Sequence, residues 1–400
     1  MNSQSQAPFF CQACGEPEPE IFFEVDDVPV HSTLLMDSRE EAQRYPQGSL
    51  KLGFCRTCGF VQNVVFDASV HEYSTKCEES QGFSPRFNAF LRALTLRLIE
   101  TYDVRNKKVV EIGCGKGDFL ELICALGHNS GIGIDPGIIP ERQQHSEAWE
   151  RIRFIQDFYS EAYGELTGEF MACRHTLEHI QPVKAFVNIV RRAIDKHPDT
   201  IVFFEIPDVE RVLSEVAFWD IYYEHCSYFS LGSLGRLFRA CGFKVLNLQK
   251  DFEDQYLVIE ARPIATPEAA PQLFPGEDDL KQLAATVDRF KTIARDTLAR
   301  WKRQIGGYAK EGKRVVIWGS SSKGVSFLTT LGLGDEIGYV VDINPFRQGK
   351  FMPGTGHEIV PPAKMAEYKP DVVLVMNPIY CEEIAASLSD MGLSPQIVPA

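Results

Sequence analysis

The stretch that decides the fold reads Val110-Glu111-Ile112-Gly113-Cys114-Gly115-Lys116-Gly117. Its apolar, β-branched start predicts a buried strand, and its three glycines predict a turn whose backbone can approach a ligand closely. Apolar residues at helical spacing precede it over 87–102 and follow it over 119–126, and the next strand is predicted over 131–135. This alternation predicts an α/β domain with a doubly wound parallel sheet, which has helices on both faces.

The same glycine spacing occurs in dinucleotide-binding folds, where a pyrophosphate lies at the helix N-terminus. Glu111 argues against a pyrophosphate, because a carboxylate just before the turn would repel it and is suited to the ammonium group of an amino acid. Asp135 ends the next strand, where a carboxylate can bind both hydroxyls of a ribose. Asp157 and Phe158 follow the third strand and are expected to hold the amino group of an adenine and to cover its ring.

These residues resemble the fingerprint of the class I methyltransferases, with the glycine motif at 109–117. The resemblance implies that S-adenosylmethionine (SAM) is the methyl donor. It also implies the residues that bind the donor: Glu111, Gly113, Gly115, Gly117, Asp135, Asp157 and Phe158. A glycine turn in some other α/β enzyme, such as a dinucleotide-dependent oxidoreductase, stays an alternative.

Near the N-terminus, two CxxC pairs indicate a metal site: Cys11-Gln-Ala-Cys14 and Cys55-Arg-Thr-Cys58. Two thiolates on one tight turn can bind a single ion, and Gly15 and Gly59 suit the left-handed backbone of such turns. Two turns complete a tetrahedral site of four cysteines, which is closed and therefore structural zinc. The alternatives are four unrelated cysteines or a redox dithiol.

Size and charge limit the other functions. A chain of 400 residues exceeds what one core usually supports, and we expect a zinc-binding domain over 1–80, a methyltransferase domain over 81–268 and a Rossmann-like α/β domain over 269–400. A net charge of −14 disfavours nucleic acid and anionic membranes as partners. The chain shows no signal peptide or membrane span, so we expect a cytoplasmic protein, and its oligomeric state is left open.

The C-terminal third repeats the strand, turn and helix pattern at Trp318-Gly319-Ser320-Ser321-Ser322-Lys323-Gly324, after a proline-rich linker at 264–276 and a long helix predicted over 278–310. A helix N-terminus with serines and a lysine can bind an anion such as a nucleotide diphosphate. The alternative is a degenerate Rossmann unit that only packs against the central domain.

Two stretches are rich in titratable and aromatic side chains. His179 lies in 172–180, at the end of a predicted fourth strand, where ligands bind in open parallel sheets. Tyr222, Glu224 and His225 lie in 219–229, after a predicted fifth strand. Histidine suits a general base, because its unperturbed pKa of about 6.5 is near neutrality.

Over its whole length the chain resembles the three-domain C-methyltransferases that methylate nucleotide-linked keto-deoxysugars in antibiotic pathways. The matching motifs include both CxxC pairs, the glycine turn, Leu177-Glu178-His179-Ile180, Glu205-Ile-Pro207, Glu224-His225 and 341–355. The resemblance implies that His225 removes a proton beside a ketone, with Glu224 as its orienting partner. It further implies that Tyr222, His179 and Tyr73 bind the carbonyl side or the sugar.

The chain departs from this family in three places that we expect to lie near the substrate. The hinge reads His71-Glu-Tyr-Ser-Thr-Lys-Cys-Glu-Glu-Ser80, Tyr223 stands where the family has histidine, and His175 stands where it has asparagine. A C-, O- or N-methyltransferase with a non-sugar, small-molecule acceptor therefore stays open. So does a zinc-containing interaction protein with a vestigial methyltransferase fold.

Overall fold

The computed structural model describes residues 9–70, 73–139, 142, 146–266, 268 and 270–400. Strands and helices are numbered in chain order. Three sheets follow one another along the chain, and each holds part of the candidate site. No helix among the described residues has the length and apolar content that crossing a membrane requires.

The N-terminal sheet has four strands in the order β1-β2-β3-β9. Its strands are β1 (Glu20–Pro29), β2 (Gln47–Phe54), β3 (Val61–Asn63) and β9 (Ser227–Tyr228), and helix α1 spans Arg39–Gln43. The last strand comes from far along the chain, where Tyr228 pairs with Val61 in antiparallel register. This pairing fixes the segment that ends at His225 against the N-terminal part of the protein.

The central sheet has seven strands in the order β10-β11-β8-β7-β4-β5-β6, and β11 is antiparallel to its neighbours. Its strands are β4 (Lys108–Ile112), β5 (Ser130–Ile134), β6 (Ile152–Ile155), β7 (Phe170–Arg174), β8 (Ile201–Pro207), β10 (Phe243–Asp251) and β11 (Tyr256–Pro263). The helices of this region are α2 (Pro85–Tyr102), α3 (Asp118–Gly127), α4 (Val183–Ala193), α5 (Val209–Glu215) and α6 (Leu231–Ala240).

Both faces of the central sheet are buried. Val110 and Ile112 of β4 pack into one apolar cluster, whereas Val109 packs into another on the opposite face, with α2 and α3. This arrangement confirms the doubly wound prediction. Helix α2 begins two residues earlier than predicted, because the Ser84 side chain accepts a hydrogen bond from the Phe87 N–H group and caps the helix.

The C-terminal sheet is parallel, in the order β14-β13-β12-β15-β16. Its strands are β12 (Val315–Trp318), β13 (Tyr339–Val341), β14 (Ile359–Val360), β15 (Val372–Val375) and β16 (Gln396–Pro399). The helices here are α7 (Leu280–Lys310), α8 (Ser322–Leu331), α9 (Met365–Tyr368) and α10 (Cys381–Asp390).

The long helix α7 joins the N-terminal and C-terminal sheets in one apolar core. Phe290 of α7 packs edge to face against Phe22 and Phe23 of β1, with ring centroids 5.8 and 5.3 Å apart. The same cluster includes Ile317 of β12 and Phe327 of α8. The domain boundaries at residues 80 and 268 stay predictions, because the apolar core continues across them.

Candidate functional site

A cavity of about 520 Å³ lies at the carboxyl ends of the central strands, where they face the C-terminal sheet. Its wall includes His31 from the N-terminal part, Glu111 from the end of β4, His225 from the loop before β9 and Lys323 from α8. Ligands of open α/β sheets bind at this edge. All three parts of the chain therefore contribute to one site.

The glycine turn after β4 forms one wall of this cavity. Gly113 has a positive φ of 67°, and a Cβ atom there would lie 1.9 Å from the Thr176 hydroxyl oxygen. Glu111 is 2% exposed, and burial raises its pKa to about 8, although nearby Arg174 opposes this shift. A buried carboxyl group with a raised pKa is stabilised in its charged form by a cation that enters the cavity.

Asp135, which directly follows β5, lies beside this turn but is not part of the cavity wall. Its two oxygens accept hydrogen bonds from the N–H groups of Gly115 at 2.8 Å and Gly137 at 2.6 Å. Burial and the nearby charge of Glu79 raise its pKa to about 7. The Lys116 ammonium lies close by and donates to the Gly137 carbonyl at 2.6 Å. The ribose role of Asp135 stays a prediction.

Asp157 and Phe158 follow β6 on the exposed side of the turn, outside the cavity wall. Asp157 accepts hydrogen bonds from the Phe158 N–H group at 2.8 Å and from the Tyr163 hydroxyl. The Phe158 side chain is 60% exposed, which leaves its ring free to cover a ligand. The adenine roles of both residues stay predictions.

On the other side of the cavity, His225 is 6% exposed and lies in a cluster of rings. Its ring centroid is 4.2 Å from that of Tyr222 and 4.7 Å from that of His179, which meets it edge to face. Burial lowers the pKa of His225 well below its ordinary value, and neighbouring cationic groups lower it further. His225 is therefore neutral at pH 7, which is the form that accepts a proton.

His179 lies in a short 3-10 turn, Leu177–His179, that follows β7. Its Nδ1 atom is 3.0 Å from the backbone carbonyl oxygen of Glu224. Since a carbonyl oxygen only accepts hydrogen bonds, Nδ1 donates, and Nε2 is left as an acceptor in the neutral ring.

One oxygen of the Glu224 side chain contacts the N-terminal part of the protein. This Oε1 atom accepts hydrogen bonds from the Ser32 N–H group at 3.0 Å and from the Ser32 hydroxyl. The carboxyl group is fully buried, and burial raises its pKa. Nothing in the sequence pattern connected Ser32 with Glu224, because 192 residues separate them.

Tyr73 lies between the two walls of the cavity. Its hydroxyl donates to Glu79 at 3.0 Å, and its ring centroid is 6.4 Å from that of Phe158 and 6.5 Å from that of His179. The neighbouring hinge residues His71 and Glu72 lie outside the described residues.

A charged network at the cavity wall was not predicted from the sequence. His175 Nε2 lies 2.8 Å from Glu205 Oε1, and His175 Nδ1 lies 3.6 Å from Glu178 Oε1. Burial opposes the protonation of His175, but the two carboxylates outweigh burial and raise its pKa to about 9. Arg174 adds an ion pair to Glu205 at 2.7 Å. Two cations and two carboxylates therefore lie together at the ends of β7 and β8.

All three departures can be placed. The hinge is described over 73–80, where Tyr73, Glu79 and Ser80 line the cavity. His175 has a left-handed φ of 47°, a conformation in which asparagine and histidine are both enriched, and it lines the cavity. The expectation that Tyr223 lies near the substrate is wrong. Its ring packs on Phe66 and its hydroxyl accepts a hydrogen bond from the Asp67 N–H group at 3.0 Å, away from the cavity wall.

The C-terminal wall of the cavity includes the start of α8. Ser321 and Ser322 line the cavity there, as does the Lys323 side chain. Lys323 Nζ lies 2.7 Å from Asp220, which also forms an ion pair with Arg211 at 2.5 Å. Lys323 is thus already paired, whereas Ser321 and Ser322 present hydroxyl groups that can bind an anion.

In the N-terminal part, the four CxxC cysteines come together. Their sulfur atoms all lie within 4.8 Å of one another, and the Cys11–Cys58 and Cys14–Cys55 pairs are each 3.6 Å apart. Zinc–sulfur bonds of about 2.3 Å in tetrahedral geometry hold sulfur atoms about 3.8 Å apart. None of the four cysteines forms a disulfide, so all four sulfur atoms are available as ligands. Their spacing fits a zinc ion.

Comparison with known proteins matches the central and C-terminal parts of the chain to two protein families. Residues 83–248 match the family model of a methyltransferase domain, and residues 271–394 match that of the C-methyltransferase C-terminal domain. The chain is similar to the C-methyltransferase NovU of Streptomyces niveus, with 30% identity over 296 residues. This match covers 69% of the chain and 67% of the relative.

Solved structures with a similar central fold include two methyltransferases. One is the 1,6-didemethyltoxoflavin-N1-methyltransferase of Burkholderia thailandensis, with 17% identity, a TM-score of 0.35 and coverage of 46% of this chain and 82% of that one. The other is magnesium protoporphyrin IX methyltransferase from Synechocystis, with 14% identity, a TM-score of 0.35 and coverage of 44% and 84%.

Proposed function

We propose, from the premise that the chain belongs to the C-methyltransferase family, that its acceptor is a nucleotide-linked keto-deoxysugar, methylated on a carbon next to the carbonyl. The protein is a SAM-dependent C-methyltransferase, as its two matching domains and its relative establish. The neutral, buried His225 in the cavity wall supports this choice of chemistry most strongly.

His225 is the general base of the proposed reaction. A C–H bond beside a ketone is acidic enough for an imidazole to remove its proton, which leaves an enolate. The enolate carbon then forms a bond to the methyl group of SAM as the methyl–sulfur bond breaks. Because the base must start neutral, the low pKa of His225 favours this role at pH 7.

The other acceptor residues orient the sugar. Tyr222 lines the cavity beside His225, and its hydroxyl can donate to the carbonyl oxygen on which negative charge develops. His179 presents Nε2 as an acceptor for a sugar hydroxyl. Tyr73, between the two walls, contacts both the donor and the sugar in this proposal.

SAM supplies the methyl sulfonium when it is bound. Glu111 pairs with its ammonium group, Asp135 with its ribose, and Asp157 and Phe158 with its adenine. Gly113, Gly115 and Gly117 keep the turn free of side chains at the closest approach. The open position of Phe158 is compatible with a ring that closes over the adenine.

The nucleotide part of the acceptor is proposed to reach the C-terminal wall. Ser321 and Ser322 begin α8, a ten-residue helix whose free N–H groups can bind a diphosphate. The surface charge of the protein is strongly negative, so such an anion needs local donors of this kind. If the domain over 269–400 only packs against the methyltransferase domain and binds no diphosphate, the proposed acceptor would have no nucleotide part.

We also propose that Cys11, Cys14, Cys55 and Cys58 hold one structural zinc ion in the domain over 1–80. Native mass spectrometry should find one zinc per chain, and Cys55→Ser should remove it. Cys381→Ser is the matched control, since Cys381 lies in the C-terminal part and should keep the metal. A wild-type mass without metal would overturn the zinc proposal.

The acceptor is tested with SAM that carries a ¹³C-labelled methyl group. The protein is incubated with a dTDP-linked 4-keto-6-deoxyhexose, and the product is examined by mass spectrometry and NMR. A new carbon–carbon bond beside the carbonyl is expected. Transfer to oxygen or nitrogen, or transfer only to acceptors without a sugar, would contradict the proposal and leave the donor assignment intact.

A further inference from the structure

Glu178 lies one residue before His179, in the short turn after β7, and its environment is unusual. The residue is 2% exposed, and neither carboxylate oxygen accepts a hydrogen bond from any residue that the structure describes. Burial removes the hydration of a carboxylate, and here no hydrogen bond among the described residues compensates for that loss. Such a group is stabilised by positive charge that is present nearby or forms there during the reaction.

Two imidazole rings face this carboxylate. One oxygen of Glu178, one ring nitrogen of His179 and one ring nitrogen of His225 lie within 4.8 Å of one another. Opposite charges at this separation interact more strongly in a buried site than in water. Glu224 is the carboxylate that sequence resemblance assigns to His225, but its Oε1 atom is held by Ser32.

The protonated His175 ring lies on another side of the Glu178 carboxylate and forms an ion pair with it. His175 Nδ1 lies 3.6 Å from Glu178 Oε1, and the pKa of His175, about 9, keeps its ring protonated at pH 7. The other ring nitrogen, Nε2, lies 2.8 Å from Glu205 Oε1, so the His175 ring lies between two carboxylates. This arrangement keeps the Glu178 carboxylate beside the imidazoles.

The remaining charges around His225 disfavour its protonation. His179 and His175 after β7, Lys323 from α8 and His31 from the N-terminal part all lower its pKa, in addition to burial. A base in this environment needs a nearby carboxylate to stabilise the imidazolium that it becomes.

We propose that Glu178 is the positioning carboxylate of the acceptor site and stabilises the imidazolium that forms when His225 takes a proton. This inference rests on the proposed function. The proton moves from the substrate carbon to the ring nitrogen of His225, and the electron pair of the C–H bond stays on the substrate as the enolate. Glu178 takes no proton and acts through its charge.

The test compares Glu178→Gln with Glu224→Gln, two isosteric changes that each remove one carboxylate. With the dTDP-linked 4-keto-6-deoxyhexose, kcat should fall about 10²-fold in Glu178→Gln, within the range for groups that support a general base, and KM should change little. The acidic limb of its pH profile should move to lower pH, because loss of a neighbouring negative charge lowers the pKa of the base. In Glu224→Gln, kcat should fall by less than about 10-fold, and the acidic limb of the pH profile should stay at the wild-type pH.

A second measurement compares Glu178→Gln with Glu224→Gln without an acceptor. NMR of ¹³C-labelled histidines, with the His225 signal assigned by His225→Asn, follows the titration of His225 in the free enzyme. His225 should require a lower pH for protonation in Glu178→Gln than in wild type or Glu224→Gln. Glu178→Asp, which keeps the charge, should recover part of both effects.

Several outcomes would overturn the inference. These are a wild-type titration in Glu178→Gln, a larger shift in Glu224→Gln, or a second metal ion, beyond zinc, that is lost in Glu178→Gln. The last result would make Glu178, His179 and His225 a cation site. If His225→Ala keeps full turnover, the proposed base is wrong; if it loses turnover while Glu178→Gln keeps it, only the role of Glu178 is wrong.

Discussion

The donor and acceptor walls of the cavity are built in different ways. The donor wall is formed at neighbouring strand ends in one sheet, where Glu111, one residue before the end of β4, and the glycine turn line the cavity. Asp135 follows β5 and lies beside this turn. The acceptor wall is assembled from distant parts of the chain. There Ser32 of the N-terminal part holds Glu224, and Lys323 of α8 binds Asp220.

Because the two walls are built differently, substitutions in one wall should have effects that differ from those of substitutions in the other. The Asp135 carboxylate is positioned by backbone N–H groups no more than 20 residues away along the chain, those of Gly115 and Gly137. The acceptor side chains depend on packing among three sheets. We therefore expect changes in the acceptor wall to reduce turnover without loss of SAM binding, and changes in the donor wall to reduce SAM binding first.

The largest expected effect is that of His225→Ala. Loss of a general base should lower kcat by about 10²- to 10⁴-fold, with SAM affinity within about twofold of wild type. Steady-state kinetics and calorimetry measure the two quantities. His197→Ala, which changes an exposed histidine after α4, is the matched control and should behave as wild type. Equal losses of turnover and SAM affinity would mean that the two walls are not separable.

A smaller effect is expected from pH on the donor wall. The pKa of Asp135 is raised to about 7, so its carboxylate is present above this pH and is lost as the pH falls through it. A ribose needs the carboxylate as acceptor, and SAM affinity should weaken about 10-fold from pH 8 to pH 6. Glu111, with a pKa of about 8, acts in the same direction.

Calorimetric titrations of SAM at pH 6, 7 and 8 measure this dependence. Asp135→Asn should bind SAM more weakly at pH 8 and should flatten the dependence, because the amide does not titrate. Tighter binding at pH 6 than at pH 8 in the wild type would contradict the role of Asp135.

The smallest effect is expected from Ser32→Ala. The change removes the hydroxyl that binds Glu224 but leaves the Ser32 N–H group in place, so about one hydrogen bond is lost. One hydrogen bond contributes about 1 kcal/mol, which corresponds to roughly a fivefold loss of turnover. Ser49→Ala, on β2, is the control. A change in SAM affinity without a change in turnover would remove Ser32 from the acceptor wall.

The contrast between the locally built donor wall and the acceptor wall built from distant segments explains what could be predicted from the sequence. The doubly wound sheet and the donor turn follow from local patterns, since β-branched runs and positive-φ glycines act over a few residues. The paired CxxC spacing likewise predicted four cysteines that the structure brings together.

The acceptor wall was predictable only in part. Tyr222 and His225 were found because aromatic and titratable residues cluster after a strand, and they do line the cavity. The contacts of Ser32 with Glu224 and of His175 with Glu205 were not found, because no local pattern connects residues that meet only through packing. Tyr223 was misplaced for the same reason, since its partners Phe66 and Asp67 belong to the N-terminal part.

Hydrogen–deuterium exchange tests the central claim, proton removal by the acceptor wall, most directly. The wild-type protein is incubated in D₂O with the dTDP-linked 4-keto-6-deoxyhexose and S-adenosylhomocysteine, which fills the donor wall but has no methyl group to transfer. NMR should show exchange of one specific C–H beside the carbonyl, faster than without enzyme, and His225→Ala should abolish it. Exchange at the same rate in His225→Ala, or methylation by the wild type of an acceptor whose C–H never exchanges, would mean that His225 is not the base.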